Sequence, residues 1–390
     1  MKVLFCYEGK MKIDAKGNIY PQALTEKVLN RYLFFGDSIS IFCRKKNVEE
    51  NPKSTSRLSD EMQKKIAIIK CPNFLSIKGL LYNNRKFTKT VIEKEVKDAD
   101  FCIIRLPSFL GRKALEICNK NSIKYVVEMV GDPFDSYWNY GIKGKLIAPI
   151  MYIKTKKALL KAKNVQYVSN KYLQNRYPTK GYSIGCSDVE LKEIDNNVLI
   201  NRKNKIVNLD NKGKIIIGTL AAIDVNYKGQ EYVIKAIAHL KKKGYNIFEY
   251  KLVGGGNPNR LLNIAKKYGV SDNIKIIGSL PHDKIFDWLD SIDIYIQPSN
   301  QEGLSRALVE AMSRGCPCIA SNAGGNPELI NEKYVFKKKD VHEIVNKILC
   351  ITSTNENMLI ECEKNFEKAK EFATDVLDKK RRDFYNKIIN

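Results

Sequence analysis

The stretch Pro298–Ile330, PSNQEGLSRALVEAMSRGCPCIASNAGGNPELI, decides how the chain is read. Before it lies an apolar run, Ile292–Gln297, which predicts a buried strand. A polar loop comes next. Ala307, Leu308 and Ala311 then recur at helical spacing, which predicts an amphipathic helix over Ser305–Arg314. Gly315 and Pro317 stop that helix. The short apolar run Cys316–Ala320 reads as the next strand, and Gly324-Gly325 turns the chain towards a helix start at Pro327-Glu328.

Two carboxylates in this stretch stand eight residues apart: Glu302 in the loop, directly before Gly303, and Glu310 in the helix. Eight helical residues rise about 12 Å. That is the order of distance from the sugar of a nucleotide diphosphate sugar, past its diphosphate, to the ribose. Glu302 would accept hydrogen bonds from sugar hydroxyls and Glu310 from ribose hydroxyls. Between them the helix start at Leu304-Ser305 offers free backbone N–H groups and a positive dipole end to a diphosphate. Two solvated glutamates on a surface helix is the plain alternative.

The company of the pair resembles family 4 of the retaining, nucleotide-sugar-dependent glycosyltransferases. Glu302 and Glu310 match that family's E-x7-E motif, with Gly303 behind the first and Ala311-Met312 behind the second. Gly315, Pro317, Gly324-Gly325 and Glu328 continue the match. The resemblance runs from about Ile215 to Ile330 and is looser over the amino-terminal half. It implies an α/β GT-B fold, in which two Rossmann-like, doubly wound domains face each other across a cleft. It also implies retention of anomeric configuration, with no metal and no further cofactor.

Upstream, Lys214–Leu220 reads as the strand that opens the second unit, and Lys228-Gly229 stands just before a helix over Gln230–Lys242. On the resemblance, Lys228 reaches the donor diphosphate. Thr219 stands where the family has an arginine of the same phosphate clamp, so another basic residue would have to serve. Gly254-Gly255-Gly256 closes the strand Glu249–Val253 and is weak evidence of nucleotide binding by itself. Leu280 occupies the family position that contacts the base through its backbone, and His282 reads as helix-start chemistry.

The first half begins with a strand, Val3–Tyr7, and a loop, Glu8–Tyr20, leading to a helix over Pro21–Phe35. On the resemblance a glycine of that loop faces the donor diphosphate. Gly17 is the candidate and Gly9 the alternative. Asp132 follows the strand Lys124–Met129, at the carboxyl end where open α/β sheets place ligand contacts. It would contact the donor sugar or the acceptor; Asp-Pro turn chemistry is the other reading. Phe134, Tyr137, Trp138 and Tyr140 would form an acceptor wall or ordinary packing. Phe74–Asp98 reads as a mixed, basic helical segment, and Lys143–Lys163 as a basic amphipathic helix interrupted at Pro149. The polar, Asn/Lys-rich stretch Asn196–Asn211 is the candidate linker, and Met358–Ile389 a long closing helix.

These readings give residues 1–200 as an acceptor-side domain and 212–365 as the nucleotide-sugar-binding domain. Residues 366–390 form a helix packing back on the first. The candidate catalytic residues are Glu302, Lys228 and Asp132. The donor contacts are Gly17, Lys228, Leu280, Glu302, Gly303, Leu304, Ser305 and Glu310.

Composition sets the partners. The 390 residues carry a net charge of +24, and Lys+Arg exceed Asp+Glu by 36 to 20 over residues 1–200 but only by 31 to 23 over 201–390. An anionic membrane surface or a lysine-rich proteome accounts for the excess; nucleic acid fits poorly, because no DNA-binding motif or aromatic-interleaved basic stripe is present. No run reaches the 18 or so apolar residues that a membrane-spanning helix needs. The ten cysteines include no C-x-x-C pair, and three histidines make a zinc site improbable on composition. A reduced cytosol, with docking at the inner membrane face, is the expected home. The expected function is sugar transfer from a nucleotide diphosphate sugar to a hydroxyl of a saccharide or lipid-linked saccharide, as in surface-polysaccharide assembly. A non-catalytic homologue acting in binding or assembly is the alternative. An NAD(P)-dependent oxidoreductase is a weaker one, since no G-x-G-x-x-G follows the first strand.

Overall fold

The computed structural model describes residues 1–21, 24–48, 57–72, 87–209 and 213–389. Two parallel sheets organise them. The first holds β1 (Lys2–Ile13), β2 (Ile19–Pro21), β3 (Ser38–Asn47), β4 (Ile66–Lys70), β5 (Phe101–Leu106), β6 (Lys124–Met129), β7 (Asn164–Tyr167) and β8 (Tyr182–Gly185). Their order is β4-β3-β1-β5-β6-β7-β8, with β2 antiparallel on the far end of β1. The second holds β9 (Ile215–Leu220), β10 (Phe248–Val253), β11 (Ile274–Gly278), β12 (Ile294–Gln297), β13 (Cys318–Ser321) and β14 (Val335–Phe336), ordered β11-β10-β9-β12-β13-β14.

Helices cover both faces, so central strands read as unbroken apolar runs: every residue of β12 and of β13 is buried. The second sheet grows outward from β9 to β11 and then resumes on the other side at β12. The crevice between the carboxyl ends of β9 and β12 is therefore its switch point, where ligands of such sheets bind. In the first sheet the reversal falls between β1 and β5.

Several expectations need correction. The first strand does not stop at Tyr7. It bulges between Cys6 and Lys10, continues beside β3 to Ile13, and turns back as β2. Pro21 belongs to that hairpin, and the first helix starts later, at Glu26, where the Thr25 hydroxyl accepts from the Val28 N–H at 3.3 Å. Of the segment Phe74–Asp98, residues 74–86 lie outside the described residues; helical backbone follows over Thr88–Ile92 and Glu93–Lys97.

The expected linker, over its described part, is a helix, Asn196–Val207, docked on the second sheet unit. Arg202, 3% exposed, donates to the carbonyls of Arg314, Ile292 and Leu289. A guanidinium with five donors ties that helix to three carbonyls of the second sheet unit, and composition alone hides this.

The long closing helix is two, Asn355–Lys370 and Thr374–Ile389, with no proline or glycine at the break. Burial of Phe372 in the turn redirects the chain. The last helix packs Phe384, Tyr385 and Ile388 against Val3, Phe5, Phe35 and Phe101 of the first sheet unit, with the Phe35 and Tyr385 rings 4.6 Å apart. Among the described residues no helix is long and apolar enough to cross a membrane.

Candidate functional site

The site forms where the loop after β12 meets the turn after β9. Val225 leads into a single 3-10 turn, Asn226–Lys228, and Gly229 then opens the helix Gln230–Lys242. Gly229 has φ of +72°, and a Cβ there would lie 2.0 Å from the Pro298 carbonyl oxygen. Only glycine lets the two segments approach this closely. The approach sets Lys228 facing Glu302. The Lys228 ammonium donates to Glu302 Oε1 at 2.7 Å, across 74 residues of sequence. Gln297, 1% exposed at the end of β12, donates to the same oxygen at 3.1 Å and to Ser299 Oγ at 2.8 Å, while its own Oε1 accepts from the Tyr295 hydroxyl. Among the described residues no donor reaches Glu302 Oε2, so the carboxylate retains acceptor capacity on the side away from the lysine.

Behind Glu302, Gly303 presses on the first sheet unit: a Cβ on it would meet the Val130 carbonyl oxygen at 2.6 Å. Leu304 and Ser305 are buried, and Ser305 caps the helix Arg306–Ser313 by accepting from the Leu308 N–H at 3.3 Å. Glu310 projects from that helix, and its Oε1 is 3.7 Å from His282 Nε2. The neighbouring Glu310 carboxylate raises the His282 pKa above its ordinary value. His282 opens the helix His282–Ser291 directly after Leu280 and Pro281, so it is the partner of Glu310 as well as a helix-start residue. Leu280 is half-buried against the core.

The loop after β12 is also the junction of the two sheet units. Gln301 donates to Ser136 Oγ at 2.8 Å and accepts from Asn139 Nδ2. The Glu328 carboxylate accepts the backbone N–H groups of Asn170 and Lys171 at 2.8 and 3.0 Å, and that of Tyr172 as well. These are the free donors at the start of the helix Tyr172–Arg176, which a carboxylate satisfies with charge of the favourable sign.

Thr219, at the position of the family's arginine, lies within a strand, and the two candidate glycines, Gly17 and Gly9, lie in and beside a hairpin. Thr219 is fully buried in β9, donating to the Ile296 carbonyl at 2.6 Å and accepting from the Tyr250 hydroxyl at 2.8 Å. It ties strands together rather than facing the crevice. Gly17, with φ of +87°, lies in the turn between β1 and β2, which is organised by Asp14 accepting from the N–H groups of Lys16 and Asn18. Gly9 lies inside β1, with the Tyr7 ring where its Cβ would be. The expected glycine loop is thus a β-hairpin, because Asp14 and Asn18 supply turn chemistry that extends the strand.

Asp132 is at the carboxyl end of β6 but 1% exposed, and its carboxylate is fully engaged. Oδ1 caps the helix Pro133–Trp138 through the Phe134 and Asp135 N–H groups and accepts from the Tyr177 hydroxyl. Oδ2 accepts from the Tyr172 hydroxyl at 2.6 Å and pairs with Arg176 Nε at 2.6 Å. A carboxylate has about four lone-pair sites. These contacts occupy that capacity and make Asp132 a structural hub. Phe134 and Trp138 stack at 5.2 Å, with the Arg176 guanidinium 5.1 Å over the Phe134 ring.

Sequence reasoning missed Gln297 and the partnership of His282 with Glu310. The first had a signal, an amide closing a strand otherwise made of buried apolar residues.

Residues 201–371 match the family model described as glycosyl transferases, group 1. Protein CapJ of Staphylococcus aureus is 36% identical over 371 residues, covering 94% of this chain and 90% of that one. The amylovoran biosynthesis glycosyltransferase AmsK of Erwinia amylovora is 37% identical over 110 residues, 26% of this chain and 27% of that one. Among solved structures, Anabaena HepE in complex with UDP superposes with a TM-score of 0.66 at 15% identity, over 99% of this chain and 100% of that one. The paired parallel sheets are the GT-B fold. With a relative this similar over nearly its whole length and the matched model over its second half, the chain belongs to the group 1 glycosyl transferases.

Proposed function

We propose that this chain transfers a sugar from a nucleotide diphosphate sugar to a hydroxyl of a saccharide, free or lipid-linked, with retention of configuration as in family 4 of these enzymes. The observation that carries the reading is the Lys228–Glu302 pair at 2.7 Å, formed at the switch point of the second sheet. With the donor bound, Lys228 turns its ammonium to the diphosphate and supports charge on the leaving group. Glu302 then holds the sugar hydroxyls, with Gln297 fixing the orientation of its carboxylate. Glu310 takes the ribose hydroxyls, and the backbone near Leu280 takes the base. The helix start at Leu304-Ser305 adds its dipole. No metal or further cofactor enters this reading.

Work in surface-polysaccharide assembly fits the likeness to AmsK, a glycosyltransferase of amylovoran biosynthesis, and we place that work at the cytoplasmic face of the membrane. Donor binding is tested by thermal shift against UDP, GDP, ADP and their sugars, with NAD(P) as control. Stabilisation by one nucleoside diphosphate, lost in Glu310→Ala, supports the reading. Stabilisation by NAD(P) alone overturns it.

A further inference from the structure

The sequence led us to expect an amphipathic helix over Lys143–Lys163. The structure gives a single helix, Ile142–Leu159, running through Pro149, and it is apolar on two faces. Gly144, Ala148, Met151, Thr155 and Leu159 recur at helical spacing and are buried against the fold. On the opposite side Ile142, Leu146, Ile150 and Ile153 are 82%, 73%, 51% and 49% exposed. Folding does not use this second stripe. At 1.5 Å per residue it is about 16 Å long. Tyr140, 87% exposed, and Trp138 stand at its amino-terminal end.

Charge around the stripe is of one sign. By their spacing Lys143 and Lys154 flank it on one side, and Lys145 and Lys156 on the other. Between Asp135 and Asp188 the chain has nine lysines and Arg176 but no carboxylate at all. An apolar strip with lysines at both borders and aromatic rings at one end suits the boundary between lipid headgroups and acyl chains. A two-fold contact with a second copy through the same face would set lysines against lysines with no acid to offset them.

We propose that this face docks on an anionic lipid bilayer, with Ile142, Leu146, Ile150 and Ile153 entering the headgroup–acyl boundary and the flanking lysines pairing with lipid phosphates. The preceding helix, Pro133–Trp138, reaches the candidate site directly through the contacts of Ser136 and Asn139 with Gln301. Docking there holds the cleft at the lipid surface, where a lipid-linked acceptor presents its hydroxyl. That last consequence rests on the function proposed above; the docking itself does not.

The test is co-sedimentation of the full chain with vesicles of phosphatidylglycerol and phosphatidylcholine, beside vesicles of phosphatidylcholine alone. Wild type pellets with the anionic vesicles and is released by salt. Leu146→Ser/Ile150→Ser loses about tenfold or more in partitioning, because two apolar side chains no longer leave water. Lys143→Gln/Lys154→Gln loses the preference for anionic lipid. Both variants keep the wild-type melting temperature and vesicle-free donor hydrolysis, since the altered side chains are exposed. Equal pelleting of wild type and both variants overturns the proposal, as does the absence of pelleting by wild type. So does a concentration-dependent dimer that the serine variant abolishes. Vesicle binding without any donor hydrolysis would leave the dock standing and remove the proposed function.

Discussion

Glu302 and Asp132 occupy equivalent places, each just beyond the carboxyl end of a parallel strand, one in each sheet unit. Their surroundings differ. Glu302 accepts from one lysine and one amide, both on a single oxygen, and its side chain is 11% exposed. Asp132 is closed in by two backbone N–H groups, two tyrosine hydroxyls and an arginine, with its side chain 0% exposed. Position at a strand end therefore does not make a carboxylate functional. Unused acceptor capacity beside a cation is what sets Glu302 apart as the candidate. A saturated carboxylate in a buried network specifies structure instead.

The strongest way to break this contrast is at Glu302. Glu302→Gln and Lys228→Ala are each expected to lower the transfer rate by about a hundredfold or more while leaving the melting transition nearly in place. Wild-type rates in both would remove the site. The converse holds for Asp132→Ala, which leaves Arg176 without its buried partner. It should lose about 3 kcal/mol of stability, read from the urea midpoint, with the folded fraction retaining its transfer rate. Loss of transfer at full stability would make Asp132 a catalytic group after all.

Gly303→Ala sharpens the comparison from the side of packing. Its Cβ would meet the Val130 carbonyl at 2.6 Å, so the Glu302 loop must move away from the first sheet unit. A rate loss of about tenfold is expected, from misplacement alone. An unchanged rate would show that the loop does not need this contact.

The smallest effect belongs to His282. Its pKa is raised by the neighbouring Glu310 carboxylate, with Glu190 adding to the rise and partial burial and Arg306 opposing it. The stability from this pair is present in full below the ordinary histidine value and fades as pH rises through the raised one. Because His282 is 57% exposed, the contribution is only a few tenths of a kcal/mol. The melting difference between wild type and His282→Asn should be larger at about pH 5.5 than at about pH 8.5. A difference that does not change with pH would disprove the pairing.

Much of the second half was legible because its signals are local. β12, the loop with Glu302 and the helix bearing Glu310 follow from apolar runs, helical spacing and a glycine stop within one continuous stretch. The hairpin after β1 was hidden, because Asp14 and Asn18 sit among residues that equally suit a loop. The helix at Asn196 was hidden by polar composition, since what fixes it is Arg202 reaching carbonyls at Leu289, Ile292 and Arg314, far along the chain. Spacing alone also could not show that the Ile142–Leu159 helix leaves one apolar face uncovered.

Alone, the sequence determined two parallel α/β units, the order of their elements in the second half, and the residues Lys228, Glu302 and Glu310 as candidates. The elements depend on periodicity and on neighbours in sequence, which a chain displays whether folded or not, and the three residues on the family motif they match. Tertiary structure decided which carboxylate is free and which is saturated, and that Thr219 faces the core. It also decided that Gly229 and Gly303 are the close approaches that set Lys228 against Glu302 and Glu302 against the first sheet. Hydrogen-bond capacity is used up by groups that arrive from distant strands, so only the folded chain shows what remains.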